Sequence, residues 1–359
     1  MGNKKMGNND FDITILTSRD YIKELSKESS EQSFNGKGKA SFKKWKDSSL
    51  AWMSEIFSRY DSNNDYGIPQ YIIVKEEDWF GCRRIDLVYN NPAYELNVPA
   101  TILQPPEDKR NGAAILCQHG HGDWGRLSII KDPVVPRDCM EIADFKYDFG
   151  LPIAQSGYTI IAIDLLGFGQ RTEPRKELKK IKGRDPCDAL GLFMMLYGRN
   201  LVAQQVSDMR FALSILGSWD NVDPKRIGMA GISQGARMTM FAAALDSRLK
   251  AVVAAGSNTF EDRTRRMGGL CGAQIIPGIM PQMDVYDIFS TIAPRPLQLQ
   301  LGDKDPIIDH EIADRGISHI RKCYREAGEP ENISIEHFDG GHEFRLDPAL
   351  EWFDKWLKE

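Results

Sequence analysis

Arg226-Ile227-Gly228-Met229-Ala230 runs directly into Gly231-Ile232-Ser233-Gln234-Gly235, and Ala236 through Leu245 follow. The first five residues are apolar and β-prone, and the last ten are built for a helix. Strand, tight turn and helix form the context in which a G-x-S-x-G pattern acts as a nucleophile elbow, holding a serine hydroxyl outward on a strained turn. Glycine at 231 and 235 answers a steric need, since strand and helix can then approach closely and the turn can take angles that other residues avoid. Ser233 is therefore the candidate nucleophile.

The flanks repeat the alternation. Tyr71-Ile72-Ile73-Val74, Arg84-Ile85-Asp86-Leu87-Val88 and Ala100-Thr101-Ile102-Leu103 read as successive antiparallel strands at one end of a sheet. Ala113 to Cys117, Tyr158 to Ile163, Ala251 to Ala255 and Leu297 to Leu301 are short apolar runs of the kind covered on both faces, and Ile333 to Glu336 closes the series. Between them Val202, Val206, Met209, Leu213 and Leu216 form a helical stripe, with Gly217 where a C-terminal cap is favoured. A last helix is expected from about Pro348 to Leu357, with Leu350, Phe353 and Leu357 inward. Strands alternating with helices predict an α/β fold: a mostly parallel sheet with helices on both faces and ligand-binding loops on the rim after the strand C-termini. Connections near 123–150, 171–198 and 257–294 exceed simple turns and are read as lid and pocket walls.

A serine hydroxyl needs an imidazole to take its proton and a carboxylate to orient that ring. Of six histidines, His119 and His121 precede the serine, His310 and His319 fall in a helical stretch, and His337 ends a strand. His342, in the glycine-rich turn Gly340-Gly341-His342 after the last strand, has the loop position and chain order the mechanism wants. Leu301-Gly302-Asp303-Lys304-Asp305-Pro306 puts carboxylates on the same rim. Asp305 is favoured there, with Asp303 and Asp309 as alternatives that would otherwise serve in turn formation and helix capping.

Acyl transfer also builds negative charge on the substrate oxygen, so two backbone amides should converge on it. Gln234, directly after the nucleophile, supplies one; the other is assigned to His121 in Gln118-His119-Gly120-His121-Gly122, with Gly122 as fallback. His119 and His121 lack a third ligand nearby in sequence, so no metal site is expected. Asp164-Leu165-Leu166-Gly167-Phe168-Gly169-Gln170-Arg171 contains a G-x-G but no third glycine or immediate helix, and reads as a tight turn beside the pocket rather than a nucleotide site. Trp124, Phe168, Met280 and Met283 are the candidate pocket residues.

At 359 residues, with a net charge of -5 spread along the chain, the composition suits one large core and gives no reason to expect a nucleic-acid partner. The six cysteines are widely spaced, without a C-x-x-C pair, and read mostly as buried thiols. No apolar stretch approaches a membrane span of about 18 residues, so no membrane partner is expected. The opening MGNKKMGNND lacks a signal peptide's apolar core, and Met6 stands where myristoylation wants Ser or Thr, so the cytoplasm is the expected location. Residues 1–70 read as an N-terminal helical extension, the first ten disordered, ahead of a catalytic domain at 71–359. Phe42, Trp45, Trp52, Ile56 and Tyr60 form an apolar stripe there, to be packed on the main domain or else to roof the pocket or join subunits.

With these residues in hand, the chain resembles the α/β-hydrolase superfamily, in its dienelactone-hydrolase-like and acetyl-xylan-esterase-like branch. The resemblance spans residues 95–359 and rests on the His119–Gly122 loop, the Asp164–Arg171 turn, the Ser233 elbow, Ile292-Ala293-Pro294-Arg295-Pro296, Gly302 with Asp305, and Gly341-His342. It implies an eight-stranded sheet and a Ser233, Asp305, His342 triad without cofactor. The expected function is a serine carboxylic-ester hydrolase acting through an acyl-enzyme on a small-molecule ester, an acetylated carbohydrate among the options. The alternatives are a serine peptidase or amidase of the same fold, and a non-catalytic binding protein that kept the fold. Homo-oligomerisation is left open.

Overall fold

A computed structural model describes residues 16–26, 32–61, 65–173, 185–266 and 269–358. The expected disorder of the first ten residues falls outside the described residues, as does 174–184 within the second long connection. Strands β1 (Tyr71–Trp79), β2 (Cys82–Asn91), β3 (Leu96–Gln104), β4 (Ala114–Gln118), β5 (Thr159–Ile163), β6 (Ile227–Ile232), β7 (Leu249–Ala255), β8 (Leu297–Gly302) and β9 (Ile333–Phe338) form one sheet, in the order β1-β2-β3-β5-β4-β6-β7-β8-β9. β1, β2 and β3 pair antiparallel, β3 meets β5 antiparallel, and every later pairing is parallel. The sheet thus has nine strands where the resemblance implied eight. The additional one is legible in the sequence, because the nine runs of β-prone residues each became a strand.

The helices are α1 (Ser18–Leu25), α2 (Lys39–Ser58), α3 (Arg126–Ile129), α4 (Met140–Ala143), α5 (Gly150–Gln155), α6 (Pro186–Leu196), α7 (Leu201–Gly217), α8 (Gln234–Leu245), α9 (Phe260–Arg266), α10 (Val285–Ser290), α11 (His310–Ala327) and α12 (Leu346–Leu357). Side chains alternate across each central strand: Leu116, Ile161, Val252 and Ala254 enter the core under α2, α7, α8, α10 and α11, while Ile115, Ile160, Val253 and Ala255 enter the core under α3, α5 and α12. This is why these strands are apolar throughout. In α12, Phe353 and Leu357 are fully buried, each contributing about 1.5–3 kcal/mol.

Two local expectations need correction. Gly217 does not cap α7; it is the helix's last residue, and Ser218 at φ -99° forms the cap. α7 is also buried nearly all round, because α8, the sheet and the 3-10 turn Gly272–Gln274 enclose it. The aromatic stripe of α2 packs on the main core, with Phe42, Met53, Ile56 and Phe57 buried and the Phe57 ring 5.6 Å from Phe241. Trp45, Trp52 and Tyr60 are partly buried against the same core, so the stripe does not roof the cleft.

Candidate active site

The register of the parallel strands decides what meets at the rim. Gln118 pairs with Gly231, Ile232 with Ala255, Ala255 with Gln300, and Gly302 with Phe338. The next residues along β4, β6, β7, β8 and β9 therefore emerge at one level, on one edge.

Ser233 stands between β6 and α8 at φ 58° and ψ -117°, a region that non-glycine residues rarely occupy. Its N–H donates to the Ala255 carbonyl at 2.8 Å. The elbow glycines have the expected steric role. A Cβ on Gly231 would lie 2.4 Å from the Gly235 carbonyl oxygen, and one on Gly235 would lie 2.3 Å from that of Gln118. The Gln234 amide, in the first turn of α8, has no intrahelical acceptor and faces outward from the helix start.

His342 and Asp305 meet. The imidazole Nδ1 lies 2.6 Å from Asp305 Oδ2, with both side chains almost fully buried. The Asp305 and His342 loops are laced together, since Asp303 N–H donates to the Phe338 carbonyl at 2.9 Å and Lys304 N–H to that of Gly340 at 2.8 Å. Gly302 lets them touch; a Cβ there would sit 2.1 Å from the Gly341 carbonyl oxygen. The alternatives serve elsewhere. Asp309 caps α11 by accepting from Ile312 N–H, and Asp303 pairs loosely with the exposed His337.

The imidazole packs directly over Gly256, the residue after Ala255. A Cβ on Gly256 would lie 2.6 Å from His342 Cε1, and Gly256 itself sits at φ 62°. Phe145 meets the ring edge-on with centroids 5.2 Å apart. Gly256 carries no sequence motif; only the pairing of β7 between β6 and β8 reveals it.

The loop after β4 is held on two sides. The buried Tyr147 hydroxyl donates to the His121 carbonyl at 3.2 Å and faces the Ser233 side chain, and burial first of all pushes that phenol's pKa up. Buried Glu141 accepts from Asp123 N–H at 2.8 Å and lies against Gly122. Neither was legible in the sequence, because each sits in the long 123–150 connection without a pattern. His119 is structural: its Nδ1–H donates to the Gly120 carbonyl at 2.8 Å, its Nε2 accepts from Leu165 N–H at 3.2 Å, and burial lowers its pKa.

The Asp164–Arg171 stretch is a tight turn, with Gly167 at φ 90° against Cys187 and Gly169 at φ 54° against the Asp164 carboxylate. That carboxylate accepts from the N–H groups of Arg126 and Gln170 and from the Arg126 guanidinium. Phe168 lines the cleft beside the rim, between His119 and His121. Of the other pocket candidates, Met283 is fully buried in the core and Met280 packs against that core. Trp124 is half-buried at the start of α3. None of these three lines the cleft, which His121, Gly122, Glu141, Phe168, Asp185 and Cys187 border.

The His121 ring meets two cysteines distant in sequence. Nε2 lies 3.2 Å from Cys187 Sγ, and Cys187 Sγ lies 3.3 Å from Cys271 Sγ. The hydrogen bond between the two thiols holds Cys271 down to about 6 and pushes Cys187 up.

A nine-stranded, mostly parallel sheet with helices on both faces and a serine on a strained strand-to-helix turn form an α/β-hydrolase fold. Within that class, residues 151–258 match the acetyl xylan esterase (AXE1) family. A curated relative, YtaP of Bacillus subtilis (strain 168), named as a hydrolase, is 26% identical over 72% of this chain and 83% of its own. Among solved structures, a protein of Bacteroides fragilis NCTC 9343 named for acetyl xylan esterase covers 93% of this chain and 84% of its own, with TM-score 0.75 and 19% identity. A glucuronoyl esterase from Solibacter usitatus covers 84% and 91%, with TM-score 0.56 and 15% identity. The partial family match and both of these solved structures are named for ester hydrolysis. Among the described residues no helix is long and apolar enough to cross a membrane.

Proposed function

We propose that the chain is a serine esterase that removes small acyl groups, acetyl foremost, from a carbohydrate or similar alcohol through an acyl-enzyme. The observation that carries this reading is the 2.6 Å His342–Asp305 pair, packed over Gly256 immediately beside the Ser233 elbow. Asp305 engages Nδ1, which leaves Nε2 as the nitrogen free to work on the serine. Ser233 Oγ attacks the ester carbonyl carbon while Nε2 takes its proton. The amides of His121 and Gln234 stabilise the oxyanion, with Gly122 the alternative on the first loop. Collapse breaks the bond to the alcohol oxygen, which leaves with the proton from Nε2. Water then attacks the acyl-enzyme, gives its proton to the same nitrogen, and returns Ser233 and a carboxylic acid.

The match of residues 151–258 to the acetyl xylan esterase family supports acetylated sugar as the substrate class, and an open cleft of about 210 Å³ lies beside the His121–Gly122 loop. The test is covalent labelling with an organophosphonate followed by peptide mapping, alongside kcat/KM on p-nitrophenyl acetate, longer p-nitrophenyl esters, acetylated xylooligosaccharides and acyl anilides. An adduct on Ser233, its loss in Ser233→Ala, and preference for acetyl esters are expected. Full esterase activity in Ser233→Ala refutes the assignment, and faster anilide turnover makes the protein an amidase.

A further inference from the structure

Among the described residues, one group of three His, Cys, Asp or Glu side chains converges closely enough to hold a metal ion: His121 Nε2, Cys187 Sγ and Cys271 Sγ, all within 4.8 Å of one another. We infer that this group is a binding site for Zn2+, with Asp185 supplying the fourth ligand. The donors have the right chemistry, since an imidazole and two thiolates suit a borderline-soft cation. Their spacing is close to that of a tetrahedral site. An ion bound by sulfur at about 2.3 Å and nitrogen at about 2.0 Å has sulfur–nitrogen edges of roughly 3.5 Å and sulfur–sulfur edges of roughly 3.8 Å. The His121–Cys187 and Cys187–Cys271 separations are 3.2 and 3.3 Å, so the side chains would open by a few tenths of an ångström to admit the ion. Asp185 Oδ2 lies 3.7 Å from His121 Nε2 on an exposed side chain that can turn toward the remaining vertex.

The site is built by backbone packing rather than by a chance meeting of surface groups. Cys187 sits in the first turn of α6, after Pro186, and Cys271 precedes the 3-10 turn Gly272–Gln274. These segments touch through glycines: a Cβ on Gly191 would lie 2.4 Å from the Gly272 backbone, and Asp188 accepts from Gly272 N–H at 2.7 Å. His121 enters from the loop after β4, its ring set edge-on to Phe168 with centroids 5.4 Å apart. The ligands therefore tie together three connections, those after β4, β5 and β7, the first two of which border the cleft. Binding releases to solvent the protons the thiols carry, and no electron transfer is involved.

The experiment uses the full chain, reduced and kept anaerobic. One equivalent of Co2+ should produce a near-ultraviolet thiolate-to-cobalt charge-transfer band with the intense visible bands of tetrahedral cobalt, and one equivalent of Zn2+ should bleach both. Cys187→Ser and Cys271→Ser should each diminish the charge-transfer band and weaken Zn2+ binding by more than about tenfold, while Cys139→Ser leaves both unchanged. Should the serine variants not fold, the cobalt spectrum of the unaltered chain decides alone. Absence of the charge-transfer band, or Zn2+ binding unaffected by both substitutions, overturns the site. So does formation of a Cys187–Cys271 disulfide in air from protein that bound no metal when reduced, seen as a mass loss of two hydrogens. None of these readouts depends on esterase activity, so the site and the proposed function stand or fall separately.

Discussion

At Ser233 the backbone holds φ 58°, a conformation costing a non-glycine residue about 1–3 kcal/mol. The turn keeps it because Gly231 and Gly235 allow β6, β4 and α8 to close around it. Gly256 is as confined from the other side, with the His342 ring where a side chain would begin. Gly256→Ala should push the imidazole off its line to the serine and lower kcat by about a hundredfold. KM and melting temperature should move far less, and steady-state kinetics with calorimetry would check the split. Ser233, Asp305 and His342 were legible as candidates because each lies in a short local pattern with a fixed relation to a strand end. Gly256, Tyr147 and Glu141 were not, since their roles depend on which strands become neighbours. Met283 was misread for a related reason: an apolar residue in a long connection looks the same in sequence whether it faces a cleft or the core.

Among the elements, α10 and α11 are joined by an ion pair that no local sequence pattern reveals. His319 Nε2 lies 3.1 Å from Asp287 Oδ1, with Tyr286 edge-on and Cys323 nearby, and Asp287 also accepts from Ser33 at 2.7 Å. Burial opposes the charge on His319, but the bonds to Asp287 and Cys323 outweigh it and raise its pKa to about 9. A raised histidine pKa stabilises the fold fully below the unfolded value of about 6.5, and that contribution disappears as pH climbs through the folded value. Melting temperatures of the parent chain and His319→Gln should accordingly differ most at pH 6 and converge by pH 9.5, at about 2–4 °C for each kcal/mol lost. A gap that stays constant over this range would contradict the ion pair's role. The elements themselves were largely readable, because covered strands and one-sided helices have distinct periods. The exceptions have physical causes: the cap of α7 falls on Ser218 because Gly217 continues the helix, and enclosure on several sides erased the contrast between that helix's two faces.

For the whole molecule, the sheet order sets how its parts depend on each other. The nucleophile's strand, β6, lies between β4 and β7 and is covered on both faces, while β9 is the terminal strand beyond β8 and only half-buried. The convergence of His121, Cys187 and Cys271 belongs to this scale too, since separations of 66 and 84 residues give no spacing rule to read. Terminal strands open first in local unfolding, and here the terminal strand leads into the loop that carries the proposed base. Warming should thus silence the protein before it melts: the midpoint of reversible activity loss should fall below the calorimetric transition. Amide hydrogen exchange should quicken in residues 333–342 while 227–232 stay protected. Coincident midpoints with uniform exchange would refute this, whereas the staggered pattern would make the sheet's margin, rather than its centre, the thermostat of the reaction.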